Sequence, residues 1–334
     1  MFHHILIPLD GSLRAERVLP VAARIARNRN ATLILARVIL DPPDAGAYMV
    51  PAVMPDDALL AQEEHEAQEY LNGIAASPEL RGLVVKTYIA VGAPTRVILD
   101  AINSTHADGI IMGSHGRTGL ARWALGSVAQ TVVRNSTAPV LLVRQQGPAL
   151  SEDETLTRPL RILVPLDGSE LAEAALGPAQ LVGEAIAGSQ GYELRLARVI
   201  QFSNAPGADA RRDRARADAE SYLKALAERF SVAAPVTTSV ILDSDPADAL
   251  ARMTRAGEQV TGAPDTDGYD LIAMATHGRT GFARMAVGSV TERVLSATVA
   301  PALIIRPDAM KPESQPASAK AAIDPTPRSQ PSLN

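Results

Sequence analysis

The feature that most constrains this chain is that it says the same thing twice, in the same order. HILIPLDGS at His4–Ser12 returns as RILVPLDGS at Arg161–Ser169, and LARVI at Leu35–Ile39 returns unchanged at Leu196–Ile200. EYLNGIA at Glu69–Ala75 answers SYLKALA at Ser221–Ala227, and TAPVLLVR at Thr137–Arg144 answers VAPALIIR at Val299–Arg306. SHGRTGLARWALGS at Ser114–Ser127 is matched by THGRTGFARMAVGS at Thr276–Ser289. The period is far too long for a solenoid, so the 334 residues resolve into two copies of one domain. The copies are expected at residues 1–146 and 159–307, joined by a linker at 147–158. The remainder, 308–334, turns to Pro, Ser, Ala and Lys, a composition unable to build a core, and is expected to be a disordered tail.

Within a copy, short apolar runs alternate with helical patterns. ILIPLD ends in Asp10-Gly11-Ser12, where Ser12 is a candidate N-cap for a helix that Pro20 should kink. ATLILARVI, VVKTYIAVG, DGIIMGS and PVLLVR supply four further strands, with helices through Glu66–Ala75, from Pro94 and over GSVAQTVVRN. Strands alternating with helices imply a parallel sheet covered on both faces. The expected fold class is therefore α/β, with two tandem open parallel five-stranded sheets flanked by helices. Aromatic residues make up only 3% of the chain, so its cores must be aliphatic.

Composition also narrows function. A net charge of −5 argues against a nucleic-acid groove, and no apolar run is long enough to cross a bilayer. The segment MFHHILIPLDGS reads as a first strand and not as a leader. The absence of cysteine excludes disulfides and cysteine-ligated metal centres. A cytoplasmic protein with neither a nucleic-acid nor a membrane partner is expected.

In an open parallel sheet, ligands bind beyond the carboxyl ends of the strands, where both distinctive segments fall. Gly113, Gly116 and Gly126-Ser127 follow a G-x-x-G-(nine residues)-G-S spacing after the fourth strand. Glycines admit an anion close to backbone N–H groups, and the helix opening at Gly126-Ser127 offers its positive end to a phosphate. Ser127 can cap that helix or meet a phosphate oxygen, and Asp10 suits a ribose hydroxyl or a divalent cation. Neither a P-loop nor a dinucleotide fingerprint is present.

These residues give the chain its resemblance to the universal stress proteins, which covers both halves. The resemblance implies a Rossmann-like, adenine nucleotide alpha hydrolase-like fold and a bound ATP, alone or with Mg2+ or Mn2+. It implies that Asp10 meets the ribose or adenine side and that Val38 contacts adenine through its backbone. Gly113, Gly116, Gly126, Ser127 and Val128 would surround ribose and phosphates. The matching second-half positions are Asp167, Val199, Gly278, Gly288, Ser289 and Val290, with Ala275 in place of Gly113. Related single-domain proteins pair their last strands antiparallel, which implies an intramolecular pseudo-dimer of the two halves. A further homodimer and an unidentified protein partner also belong to this expectation.

Several residues admit plainer roles. Gly11 and Gly168 read as turn residues, Arg117 and Arg279 as phosphate ligands or solvated loop residues, and Arg122 and Arg284 as solvated. His115 and His277 lack the paired carboxylate or nucleophile of an acid–base site, so they read as structural or ligand-contacting, with no catalytic or metal residue assigned. His3-His4 reads as strand edge. The longer loop Asp41–Ala58, with its Met-bearing stretch Tyr48–Met54, is either a lid or an interface patch. The second copy instead extends Arg255–Gly268. The expected function is a cytosolic ATP-binding stress-response or regulatory protein with a weakened second site. The rivals are a slow ATP-hydrolysing or phosphate-transferring enzyme and a non-binding scaffold.

Overall fold

The computed structural model describes residues 1–40, 57–114, 125–144, 150, 158–201, 208–256, 259–260, 263–264, 268–276 and 288–307. The first half runs β1 (His4–Leu9), α1 (Leu13–Glu16), α2 (Leu19–Arg29), β2 (Thr32–Ile39), α3 (Asp57–Ala75), β3 (Val84–Val91), α4 (Pro94–Ser104), β4 (Gly109–Gly113), α5 (Ser127–Asn135) and β5 (Val140–Val143). The second half repeats the series as β6 (Leu160–Pro165), α6 (Glu170–Glu173), α7 (Leu176–Ala187), β7 (Tyr192–Ile200), α8 (Ala208–Phe230), β8 (Val236–Leu242) and α9 (Pro246–Ala256). A two-residue hairpin, β9 (Gln259–Val260) with β10 (Ala263–Pro264), occupies the extension peculiar to this half. β11 (Leu271–Ala275), α10 (Ser289–Ala297) and β12 (Ala302–Ile305) complete it.

Local chemistry explains the breaks. Pro20 does more than kink its helix. It sits in the first turn of α2, so a separate short α1 precedes it, as a residue without a backbone N–H requires. Ser12 caps α1 by accepting from the Ala15 N–H at 3.2 Å, and Ser169 does the same for α6 through Ala172 at 3.2 Å.

The two five-stranded parallel units join through their last strands, which is the intramolecular pseudo-dimer expected from the sequence. The order of the joined sheet is β3-β2-β1-β4-β5-β12-β11-β6-β7-β8, ten strands in one layer. All neighbours are parallel except the central pair, where β5 and β12 run antiparallel with Val140 opposite Ile304, Leu141 opposite Leu303 and Leu142 opposite Ala302. The palindromic order makes the halves twofold mates, and these central side chains are fully buried. Strand alternation splits the core between the two faces. Ile5, Ile7, Leu33 and Leu35 pack with α2, α3, α7 and α8, while Leu6, Ile34, Ile110 and Met112 pack with α4, α5, α9 and α10.

Side chains cross the dyad on both faces. On one, α2 packs on α7, with Asn28 Nδ2 donating to the Ala185 carbonyl at 2.8 Å. On the other, Arg144 donates to the Leu295 carbonyl near the end of α10, and its mate Arg306 to the Asn135 carbonyl ending α5. Cations suit helix carboxyl ends. Burial lowers Arg144 to about 10, which leaves it charged at neutral pH.

Because one sheet runs through both halves, they should unfold together. Leu303→Ala, which truncates a buried seam side chain, is expected to reduce stability by about 2–5 kcal/mol. Denaturant titration followed by far-ultraviolet circular dichroism should show one transition at a lower midpoint. Two separated transitions, with only one of them displaced, would mean that the seam does not couple the halves.

Candidate functional site

The strand order creates one crevice per half. β1 lies beside β4 and β6 beside β11, and the helix following β1 packs on the opposite face from the helix following β4. Chain leaving such neighbours in opposite directions opens a cleft at their carboxyl ends. Asp10 stands on one lip and Gly113 and α5 on the other.

The Asp10 lip is a locked turn. Asp10 Oδ1 accepts from the Ser12 N–H at 3.0 Å and from Ser12 Oγ at 2.6 Å, and Gly11 between them has φ +81°. Only glycine takes this conformation without strain. Asp167 repeats the arrangement with Ser169 at 3.0 and 2.6 Å, around Gly168 at φ +87°. Val38 lies one residue past Leu9↔Arg37, where the β1–β2 register stops, and is still paired with Ala90 of β3. Its half-buried side chain rests on the α4–α5 side of the core, and Val199 occupies the same place in the second half.

The opposite lip is a helix start. Gly126, and not Ser127, is the N-cap of α5, and no side chain caps that end. Its N–H donates to the Ser114 carbonyl at 2.9 Å, which draws the helix onto the end of β4. The first bond within the helix runs from the Gln130 N–H to the Gly126 carbonyl at 2.8 Å. The N–H groups of Ser127, Val128 and Ala129 are thus the ones a helix leaves without internal acceptors. Ser127 is exposed, and Val128 is half-buried against the core. In the second half the Gly288 N–H meets the Thr276 carbonyl at 2.6 Å, and a Cβ on Gly288 would stand 3.0 Å from that same oxygen. Glycine is needed there for close approach and not for an unusual φ, since its backbone is extended at φ −55°, ψ 140°. Ser289 and Val290 follow, both exposed. Among the described residues, no group of three or more His, Asp or Glu side chains is disposed to hold a metal.

His115, Gly116 and Arg117 lie outside the described residues, as do Gly278, His277, Arg279, Arg122 and Arg284. The same holds for 41–56 of the loop Asp41–Ala58 read as lid or interface patch, whose last two residues instead open α3, and for the tail from 308.

The second crevice differs in its fixings. Ala275 is the last residue of β11, and the non-glycine residues with positive φ among those described are Phe2, Asn30 and His106. Its methyl group therefore adds no backbone strain, and any effect on a ligand must come from proximity. The Ala275 carbonyl accepts from Thr291 Oγ1 at 3.0 Å, whereas the first half has Ala129 in the Thr291 position. Asp245 caps α9 through the Ala247 N–H at 3.1 Å and ion-pairs with Arg293 of α10. That hydrogen bond from Arg293 holds Asp245 below the usual carboxylate range. Ala93 and Thr131 occupy these places in the first half. Sequence reasoning passed over Asp245 and Arg293, which have no counterpart in the other copy to draw attention to them. It also passed over Arg37, Tyr70 and Glu16, although Arg37 and Tyr70 recur within the repeated segments as Arg198 and Tyr222, and Glu16 recurs just beyond one as Glu173.

The profile of the Universal stress protein family matches the chain twice, over residues 1–144 and 160–306. A universal stress protein of Mycobacterium tuberculosis is 27% identical over 313 residues, covering 91% of this chain and 97% of that protein. Among solved structures, a universal stress protein from Archaeoglobus fulgidus superposes with a TM-score of 0.63 at 19% identity, over 92% of this chain and 99% of the other. A putative universal stress protein from Pseudomonas aeruginosa superposes with a TM-score of 0.56 at 16% identity, over 92% of this chain and 94% of the other.

The cap assignments give a direct check. Ser12→Ala and Ser169→Ala should each lower stability by about 1 kcal/mol, the ordinary cost of a lost N-cap. Ser127→Ala, which removes an exposed hydroxyl that caps nothing, should stay within about 0.5 kcal/mol of the parent. Thermal melts of the three variants decide between these assignments. A Ser127→Ala variant as unstable as Ser12→Ala would reinstate Ser127 as the cap.

Proposed function

The chain belongs to the universal stress protein family, and from that premise we propose that its first half is an ATP-binding module. The module serves a regulatory protein of the cytoplasm, coupling nucleotide state to conformation or partner choice. The observation that carries this reading is the pairing, across one switch-point crevice, of a turn-locked carboxylate with an uncapped helix start. The two lips suit the two ends of a nucleotide. Backbone N–H groups at the head of a nine-residue helix, with its dipole behind them, favour phosphate. A carboxylate acceptor favours ribose hydroxyls, and the half-buried Val38 offers an apolar wall for a base.

The residues assigned to the first site are Asp10, Val38, Gly113, Gly126, Ser127 and Val128, with His115, Gly116 and Arg117 from the motif itself. Mg2+ or Mn2+ would arrive with the phosphates, since such ions are commonly held by one or two carboxylates plus substrate oxygens. The units that carry the sites are taken as 1–146 and 159–307, with 147–158 between them. No helix among the described residues is long and apolar enough to cross a membrane.

The second site is the weaker one on this reading. Its lip carries the Ala275 methyl group, and its helices are tied by Asp245 and Arg293. Asp167, Val199, Gly288, Ser289 and Val290, with Gly278 from the motif itself, are assigned to a residual affinity.

Calorimetric titration of the full chain with ATP should resolve one tight and one weak site. Gly113→Ala should weaken the tight site about five- to tenfold, the equivalent of about 1 kcal/mol or more. Ala275→Gly should strengthen the weak one. Two sites of equal affinity, or none, would defeat the proposal. Denaturing freshly purified protein and identifying any released nucleotide by chromatography provides an independent check.

A further inference from the structure

The β2 strand sends a guanidinium onto a mostly apolar face. Arg37 alternates with Val38, so it lies on the side of the sheet shared by Leu33 and Leu35, away from the α4–α5 side. A charge placed there needs partners. Its Nη1 donates to the Leu9 carbonyl at 3.4 Å, and it lies so close beneath the turn that a Cβ on Gly11 would stand 3.1 Å from it. The guanidinium carbon sits 5.6 Å from the centre of the Tyr70 ring, a cation–π distance. Tyr70 OH in turn donates to Glu16 Oε1 at 2.9 Å. Glu16 belongs to α1, the helix that Ser12 caps. The contacts therefore close a ring: turn, α1, α3, β2, and back to the turn.

The charges of this ring share one neighbourhood. Burial raises the Tyr70 hydroxyl well above its ordinary value, Glu16 and Asp10 raise it further, and Arg37 opposes them.

The second half contains the same ring. Arg198 stands 3.0 Å from a Cβ on Gly168 and 5.4 Å from the Tyr222 ring centre, and Tyr222 OH donates to Glu173 at 3.0 Å. Around Glu16 the copies differ, with Leu13 against Glu170, Arg14 against Leu171 and Arg17 against Ala174, yet the glutamate recurs. The arginine, aspartate and glycine recur inside the repeated LARVI and PLDGS segments. A lysine could not replace the arginine, because stacking on a ring while reaching a carbonyl uses the planar fork.

We infer that Arg37 is the positioning residue that fixes the Asp10 carboxylate at the first crevice, and so governs which sugar the site accepts. Arg198 has the same part toward Asp167. The sugar arm of this inference rests on the nucleotide reading above, whereas the arm concerning the turn does not.

The test uses the full chain and Arg37→Met, which keeps most of the aliphatic stem and removes the fork. Calorimetry with ATP, 2′-deoxy-ATP, 3′-deoxy-ATP and AMP gives the first readout. The parent should prefer ATP over at least one deoxy analogue by about tenfold, as a hydrogen bond to a charged group allows. In Arg37→Met that preference should shrink to about twofold or less, while the ratio of ATP to AMP affinity, set at the start of α5, stays unchanged. Amide hydrogen exchange at Ser12, whose N–H is held by Asp10 Oδ1, gives the second, and should accelerate about tenfold as the turn loosens. Unchanged exchange at the Ser12 amide overturns the inference, as does a sugar preference equal to the parent's. A parent chain that binds no adenine nucleotide defeats the nucleotide reading instead, and exchange alone then decides the role of Arg37. Should Arg37→Met fail to fold, Tyr70→Phe removes only the bond to Glu16. It should shift both readouts in the same direction by a smaller factor, and no shift there overturns the inference.

Discussion

The antiparallel pairing of β5 with β12 is the interaction on which the rest of the architecture depends. Each half ends in a short aliphatic strand whose outer edge would otherwise present unpaired backbone groups flanked by apolar side chains. Pairing the two edges satisfies those groups and buries Val140, Leu141, Leu142, Leu303 and Ile304 together. It also fixes geometry. Strands within a half are parallel, so one antiparallel joint in the middle turns the two sets of carboxyl ends toward opposite edges of the sheet. The two crevices therefore open away from each other, and each has beside it the carboxyl end of the other half's last helix, where Arg144 and Arg306 dock.

Duplication within one chain also frees the mates to differ. Gln130 and Glu292 hold equivalent places in α5 and α10, and across the dyad they hydrogen-bond to each other at 2.7 Å. Arg134 adds an ion pair to the same Glu292 oxygen at 2.9 Å, while its own mate is Ser296. Two identical second halves would bring two glutamates together at this place, and like charges so close are unfavourable. The pair is partly exposed, so it contributes little stability, but it distinguishes the mixed pairing from the self-pairing. The crevices have diverged in the same spirit. The second has Asp245–Arg293 and Thr291–Ala275 ties where the first has Gly113 and Ala129.

Much of this was legible in the residues alone. Aliphatic runs bounded by Asp-Gly-Ser, Pro and Gly gave the strands, because a strand buried on both faces leaves little choice but Val, Ile, Leu and Ala. Ser12 as a cap and Gly11 as a turn residue were legible for a local reason: both are decided within four residues of the chain. Of the two parts open to Ser127, helix cap or phosphate contact, the first falls to Gly126, since a serine and a glycine in sequence both suit an N-cap. The choice between them fell to the Ser114 carbonyl, which draws the Gly126 N–H onto the end of β4.

By itself the sequence determined the duplication, the α/β alternation, the position of the motifs at strand ends and the family. The first three follow from pattern and spacing, and the family from the resemblance that the motifs carry. The joining of ten strands into one sheet realises the pseudo-dimer already expected. Only the tertiary structure decided that Gln130 meets Glu292, and that Arg37 lies beneath the Asp10 turn while Tyr70 and Glu16 close the ring around it. Those residues are separated by tens of positions in the chain, and their contacts depend on strand order, on which face each side chain takes, and on how the helices lie across the sheet. No local periodicity encodes that, because a guanidinium, a phenol and a carboxylate have no fixed partner until the fold brings them together.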